Sequence, residues 1–352
     1  MLRLSIDDIL QETHNSYTLL LSTDEGENPT YLAGQYLTLI LTIEGEEVRR
    51  AYSLSSAPSV DGQMAISIKR VEGGLVSNYI ADRLQKGDKI EALPPQGSFR
   101  IEPDLTRSRH YLMFAAGSGI TPMISIIKEV LHQEPLSQLT LWYGNRRQED
   151  IMFKAALDQL QQDYPIRLKV IHRLSKEEGR EKGGRVDMEF VYRQVLELFM
   201  QDEFRKQYYI CGPSPMMAEV YDALDKHAVH PKDIHMEYFV LPEKEEVEEQ
   251  EESLLPTKPP LEDQQVKIRL YEEDHEIEVK ADETLLAATI RHSLNPPYAC
   301  RAGLCVSCKA KVKQGTAYME PIVGLSDEEI EEGYILTCQA YPTSGDLEIE
   351  FD

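Results

Sequence analysis

Cysteine is scarce in this chain, five residues in 352. So few cannot build the disulfide framework of a small exported protein. Long apolar runs are missing too. No stretch could span a bilayer as a helix, and the opening Met1-Leu2-Arg3-Leu4-Ser5-Ile6-Asp7-Asp8 lacks the apolar core of a signal peptide. The expected location is therefore the cytoplasm, with no membrane partner. Positive charge is in short supply: 37 lysines and arginines stand against 61 aspartates and glutamates, a net charge of −24. Such a surface repels nucleic acid and anionic lipid, so neither is expected to bind. It either prepares a face for a basic protein or keeps the chain in solution. The apolar share, 41%, is ordinary, and the length suits two or three domains better than one core.

Four of the five cysteines form a pattern. Cys300, Cys305 and Cys308 follow C-x4-C-x2-C, and Cys338 arrives later in Leu336-Thr337-Cys338-Gln339. This is the spacing of plant-type [2Fe–2S] ligands. Four thiolates must converge on two irons while backbone N–H groups reach sulfur, which no helix or strand arranges. Ala302, Gly303 and Ser307 are small enough to serve as spacers, and Gly303 takes positive φ at no steric cost. The alternative is a zinc-binding interaction module. A four-cysteine zinc site, however, pairs two short knuckles, and Cys338 has no cysteine close by. A one-electron centre also needs a donor and an acceptor.

Residues 1–104 carry short alternating runs at 17–21, 36–43, 50–54, 64–71 and 89–93, parted by turn residues. This predicts a small antiparallel β-barrel, interrupted by one helix over 76–84. Arg50-Ala51-Tyr52-Ser53 sets a cation, a ring and a hydroxyl near one strand end. Gly73-Gly74-Leu75-Val76-Ser77 sets glycines before a helix N-terminus, where free N–H groups and the dipole attract phosphate. Together they suit a flat ring system with a phosphate tail. Tyr52 can pack along the ring, Ser53 can hydrogen-bond a ring nitrogen, and Arg50 can pair a phosphate. Taken singly, Tyr52 reads as a half-buried strand aromatic and Gly73-Gly74 as a plain turn.

From 105 to 240 strands alternate with helices, which predicts an α/β domain with a parallel sheet. A strand over 111–116 runs into Gly117-Ser118-Gly119-Ile120-Thr121-Pro122. Thr121 is expected to cap a helix beginning at Pro122, with the glycines letting backbone approach a pyrophosphate. The motif is G-x-G-x-x-P, not the dinucleotide G-x-G-x-x-G. Strands ending near 116, 143 and 210 should open on one edge, where such sheets bind ligands. Cys211, before Gly212-Pro213, is small enough there to let a nicotinamide pass, or is a buried structural thiol. Residues 241–263 hold an acidic run and Pro256, Pro259 and Pro260, the composition of a linker. From 264 to 352 come a hairpin, a helix over 284–292, the cysteine loop, a capping-box start at Ser326 with Glu329, and a closing strand.

In this order, Arg50 to Ser53, Gly73 to Ser77, Gly117 to Pro122, Tyr143-Gly144-Asn145-Arg146 and Cys211-Gly212-Pro213 resemble the ferredoxin–NADP⁺ reductase superfamily. The C-terminal segment resembles a β-grasp plant-type ferredoxin. The whole is similar to the reductase components of multicomponent oxygenases, ring-hydroxylating and ketosteroid-hydroxylating systems among them. That resemblance implies FAD, in preference to FMN, held by Arg50, Ala51, Tyr52 and Ser53, with Gly74, Val76 and Ser77 around its pyrophosphate and Gly34-Gln35-Tyr36 beside it. It implies NADPH or NADH against Gly117, Thr121, Pro122, Arg146, Cys211, Gly212 and Pro213. Glu237 and Phe239, in Glu237-Tyr238-Phe239, are implied at the flavin ring. Tyr52, Ser53, Thr121, Cys211 and Glu237 would line the reacting centre, where catalysis is a matter of proximity. A 2′-phosphate would call on Arg146, Arg147, Arg173 or Lys176. The implied activity carries electrons from NAD(P)H through FAD and the cluster to an oxygenase or hydroxylase. No globin, diiron or Rieske ligand set occurs that would let the chain finish the chemistry itself.

Overall fold

A computed structural model describes residues 1–24, 26, 29–176, 184–201, 204–239, 258–322 and 324–351. The acidic run of the expected linker lies outside the described residues. The chain divides into two compact units, Met1–Phe239 and Val240–Asp352.

The first unit begins as an antiparallel barrel. Its strands are β1 (Leu2–Thr13), β2 (Ser16–Thr23), β3 (Tyr36–Ile43), β4 (Glu46–Ser53), β5 (Met64–Lys69) and β6 (Lys89–Ala92), in the order β4-β3-β6-β1-β2-β5. A bridge between Leu54 and Ile66 joins the two ends of the sheet. Alternation explains the interior: Leu19 and Leu21, Leu37, Leu39 and Leu41, and Met64, Ile66 and Ile68 turn inward to one core. The neighbours Thr18 and Ser67 face the other way. Helix α1 (Leu75–Arg83) seals one end with Val76 and Ile80. Strand β1 has no counterpart in the sequence reading. It carries two bulges, between Ile6 and Asp8 and between Gln11 and Thr13, and each resets the period of two.

The second half of this unit is a parallel sheet. It comprises β7 (Arg109–Ala116), β8 (Gln138–Asn145), β9 (Leu168–Leu174), β10 (Arg205–Cys211) and β11 (Ile234–Glu237), in the order β11-β10-β7-β8-β9. Helices α2 (Ile120–Gln133) and α3 (Lys154–Asp163) cover one face, and α4 (Met188–Gln201) and α5 (Ser214–Lys226) the other. In register, Ala115 lies beside both Tyr143 and Cys211, and Cys211 beside Glu237, so the expected strand ends do share one edge.

Helix α2 also ties sheet to barrel. Ser125 Oγ donates to the Ser56 carbonyl (2.6 Å) and accepts from Gly34 N–H (3.3 Å). Glu129 accepts from both the amide and the hydroxyl of Ser59, and Lys128 pairs with Asp61 at 2.8 Å. At the helix's far end the fully buried Glu134 meets Arg107 at 3.2 Å and accepts from Tyr111 Oη at 2.8 Å. Removing one partner of such a buried pair costs about 3–5 kcal/mol, so the connector between barrel and sheet is firmly held.

The second unit pairs β12 (Gln264–Leu270) and β13 (Glu273–Val279) as a hairpin, followed by α6 (Leu285–Arg291). Then come β14 (Lys309–Gln314), β15 (Ala317–Met319), α7 (Asp327–Glu331), β16 (Tyr334–Leu336), β17 (Ala340–Pro342) and β18 (Glu348–Phe351). The main sheet runs β13-β12-β18-β14-β16, with β15 and β17 as a separate pair. Thr284 caps α6, and the Ser326–Glu329 capping box forms at α7 as its sequence requires.

Candidate functional site

Three groups of residues in the first unit face one seam, between barrel and parallel sheet. From β4 comes Ser53, whose hydroxyl donates to Glu237 Oε2 at 3.1 Å across 184 residues of sequence. Tyr52, half-buried, packs on the barrel core; Arg50 and Ala51 are exposed beside it, and Arg50 donates to the Arg49 carbonyl at 2.8 Å. From α1 comes a helix N-terminus at Gly74 with no side-chain cap and no acidic residue in its first turn. In a chain with so many carboxylates, an acid-free uncapped end leaves its N–H groups open to an anion. Two residues there have their side chains engaged within the barrel. The Val76 side chain belongs to the barrel core, leaving only its backbone for a ligand. The Ser77 hydroxyl already accepts from Val71 N–H at 3.1 Å, closing the glycine turn.

The sheet supplies the opposite wall. Between β7 and α2, Gly117–Gly119 form a 3-10 turn that leads directly into the helix at Ile120. Thr121 is therefore not a cap. It lies buried within the first turn, donating to the Ser118 carbonyl at 3.0 Å, and Pro122 is buried one residue on. The correction follows from Gly119, which extends the helical turn upstream and takes the capping position with no side chain. A Cβ on Gly119 would stand 2.0 Å from the Cys211 carbonyl oxygen, so only glycine lets this turn meet the end of β10. Cys211 is fully buried, and loss of hydration pushes its thiol far above the usual range, so it is no nucleophile. Gly212 and Pro213 lead into α5, whose N-terminus is again uncapped and acid-free. Phe239 is exposed just beyond β11.

Two further residues on this seam have no role assigned from the sequence, Asn145 although it lies in the Tyr143–Arg146 motif. Lys69, at the end of β5, puts Nζ 4.0 Å from where a Gly117 Cβ would be, and burial lowers its pKa. The only hint was a lysine closing an alternating strand just ahead of the glycine turn. Asn145, buried at the end of β8, sets its amide against the Tyr143 hydroxyl. Uncapped, acid-free helix ends with a lysine beside the glycine turn fit a phosphate-bearing ligand. Of the four cations considered for a 2′-phosphate, Arg147 is paired with Glu149 and Arg173 lies 3.9 Å over the Phe190 ring. Arg146 and Lys176 adjoin, since the Lys176 amide donates to the Arg146 carbonyl at 2.9 Å.

Loss of hydration around the half-buried Glu237 pushes its carboxyl up to about 8, against the lowering effect of the Ser53 hydrogen bond. An unfolded glutamate titrates near 4.3, so between those values the unfolded chain has lost a proton that the folded chain keeps. Stability from this group is full below the unfolded value and falls as pH rises through the folded one. The thermal stability of the wild type should thus fall from pH 5 to 8 relative to Glu237→Gln. Parallel melting curves for the two proteins would show that the carboxyl titrates normally.

The cysteine loop of the second unit forms its own site. Cys305 Sγ donates to Cys300 Sγ at 3.2 Å, and Cys308 likewise lies against Cys338. The Cys305 hydrogen bond, followed by the amides of Ala302, Cys305 and Leu304, draws the Cys300 thiol down to about 5; Cys308, then the Gly303 amide, lower Cys338. Arg301 and Gly303 have positive φ, 56° and 70°, which turns those amides inward. Among the described residues no three ligating side chains converge on a single ion. Two pairs of thiols with inward amides suit a two-iron group with two sulfurs per metal, not one tetrahedral ion. Leu286, Tyr298, Leu325 and Leu336 pack around Cys308 and Cys338.

Residues 3–101 match the oxidoreductase FAD-binding domain, 113–222 the oxidoreductase NAD-binding domain, and 268–343 the 2Fe-2S iron-sulfur cluster binding domain. The chain is 35% identical over 360 residues to one of the subunits of the 1,2-phenylacetyl-CoA epoxidase of Escherichia coli K12, covering 99% of this chain and 97% of that one. It is 31% identical to the ferredoxin reductase component of 3-ketosteroid-9-alpha-monooxygenase from Rhodococcus rhodochrous, covering 99% and 96%. The fold matches phthalate dioxygenase reductase, a modular structure for electron transfer from pyridine nucleotides to [2Fe–2S], with a TM-score of 0.60, 23% identity, and coverage of 99% and 98%.

Proposed function

This chain belongs to the family of reductase components that serve multicomponent oxygenases, and on that premise we propose that its partner is an oxygenase of the phenylacetyl-CoA epoxidase type. It is an NAD(P)H-dependent oxidoreductase using FAD and a [2Fe–2S] cluster. The partner reading is carried by 35% identity sustained along the whole chain. A ketosteroid-hydroxylating partner is the second reading, supported by 31% identity over a similar length. When bound, FAD accepts a hydride and gives up its electrons one at a time.

The residues of this chain divide the remaining work. Tyr52 packs along the ring system, Ser53 with Glu237 hydrogen-bonds its edge, and Arg50 with the open amides of α1 holds its phosphates. The turn at Gly117–Gly119, with Lys69 and Arg146, holds the nicotinamide nucleotide, while Thr121, Pro122, Cys211, Gly212 and Pro213 shape the wall against which its ring lies. Cys300, Cys305, Cys308 and Cys338 ligate the cluster. No helix among the described residues is long and apolar enough to cross a membrane, and we place this work in the cytoplasm.

Reconstitution with purified oxygenases tests the partner. Phenylacetyl-CoA with its epoxidase should accelerate NAD(P)H oxidation well beyond a ketosteroid hydroxylase with its own substrate; the reverse order would overturn the assignment. Arg146 and Lys176 argue for NADPH over NADH, because a 2′-phosphate placed there meets two adjoining cations. The double variant Arg146→Ala, Lys176→Ala should lose roughly a hundredfold or more in kcat/KM for NADPH, about what two charged contacts are worth, with little change for NADH. Equal losses for both coenzymes would remove the preference.

A further inference from the structure

A line of buried hydroxyls crosses the outer face of the barrel on the side of the seam. Ser55 Oγ lies 2.8 Å from Ser67 Oγ, which lies 2.7 Å from Thr18 Oγ1, which donates to Glu12 Oε1 at 2.7 Å. Ser55, Ser67 and Thr18 are 3%, 4% and 5% exposed, whereas Glu12 is half-open to solvent. The polarity of this line is fixed at its acidic end. A carboxylate only accepts, so Thr18 must donate to it, and each hydroxyl has a single proton. Ser67 therefore donates to Thr18, and Ser55 to Ser67, in preference to its longer contact with the Ala65 carbonyl at 3.3 Å. The Ser55 oxygen is left with accepting capacity at the inner end. Ser55 follows Ser53 by two residues, which in extended chain sets their Cα atoms about 6.6 Å apart, a gap that a short chain of ordered waters would bridge. Ordinary strand hydroxyls satisfy themselves in pairs; here three strands contribute to one directed file that ends on an acid.

The reaction has a use for such a file. Each hydride brings two electrons and one proton, and the electrons depart singly toward iron that takes up no proton. One proton per turnover must therefore leave the ring edge beside Ser53 by another route. We propose that Ser55, Ser67 and Thr18 relay this proton to Glu12, which returns it to solvent. Each hydroxyl breaks the O–H bond it donates as it forms a new one with the proton arriving behind it, so the file ends with every oxygen again carrying one proton. These are relay residues rather than catalytic ones, and the proposal rests on the placement of the flavin beside Ser53.

The test separates proton movement from turnover. Protein reduced by one equivalent of NADPH without oxygen is mixed with ferricyanide, which takes electrons and no protons. A pH indicator in weak buffer and the visible flavin absorbance are recorded together. In the wild type the proton should appear in step with flavin reoxidation. In Ser67→Ala, Thr18→Val and Glu12→Gln its appearance should lag by on the order of tenfold or more, as expected where a positioned proton carrier is lost. Thr18→Ser, which keeps the hydroxyl, should restore synchrony. Proton release in step with reoxidation in all three variants sinks the relay, as does a lag that persists in Thr18→Ser. Should Thr18→Val fail to fold, Glu12→Gln at the open end decides alone. Flavin reduction by NADPH in Ser53→Ala reports the underlying placement separately: an unchanged rate there would displace the flavin from Ser53 and overturn the relay's starting point, whereas lost synchrony in the relay variants beside a slowed Ser53→Ala supports both.

Discussion

Cys305→Ser should cut electron delivery to any one-electron acceptor that depends on the cluster by roughly 100-fold or more, given that even outer-shell partners of a metal site are worth 10–100-fold. The reason is the pairing of the ligands. Cys305 and Cys300 lie 3.2 Å apart and form one of two thiol couples, so a single oxygen there leaves one iron with half its protein sulfur. Flavin reduction by NADPH should survive, because the barrel and parallel sheet constitute a separate compact unit, Met1–Phe239. Ferricyanide reduction, iron content and acid-labile sulfide together provide the measurement. Full delivery by the variant to its oxygenase, or loss of flavin reduction along with the cluster, would contradict this division of labour.

Gly119→Ala is the second large effect. The added methyl would sit 2.0 Å from the Cys211 carbonyl oxygen, 2.5 Å from its carbon and 2.9 Å from the Gly212 nitrogen. All three are backbone atoms, so no side-chain rotation relieves the clash. Either the turn or the end of β10 must shift, at a cost of about 1–3 kcal/mol typical of overpacking. The same shift moves the wall of the nicotinamide site. Displacement by about 1 Å can cost 100-fold in a reaction governed by proximity. The expected pattern is a melting temperature several degrees lower, normal flavin content, and hydride transfer slowed about 100-fold in single-turnover measurements. Wild-type transfer rates would mean that the turn does not border the reacting ring.

How much of this could be read beforehand depended on how local the cause was. The cysteine loop was legible because ligand spacing is a chain property; its two-by-two pairing was not, since that requires Cys338 to fold back. Strand Tyr36–Ile43 and the capping box at Ser326 were legible for the same local reason. Thr121 was misjudged because a cap is defined by where the helix starts, and Gly119 moved that start through a contact with a strand nearly a hundred residues on. Lys69 went unremarked, and Asn145 stood in a quoted motif without a role, because their meaning lies in what they face across the seam. The short strands Ala317–Met319 and Ala340–Pro342 were missed because three residues cannot display a period. Val76 could be set on the helix from sequence, but that its side chain joins the barrel core and leaves its backbone facing outward could not.

The Ser53–Glu237 bond has a consequence for the birth of the molecule on the ribosome. Its two halves are 184 residues apart, and Glu237 closes the last strand of its unit. At 5–20 residues per second, roughly 10–40 s of translation separate them. Through that interval the nascent barrel exposes an unfinished pocket, so cofactor loading is set by the arrival of the final strand, and the emerging chain passes its most vulnerable moments without the wall that later encloses it.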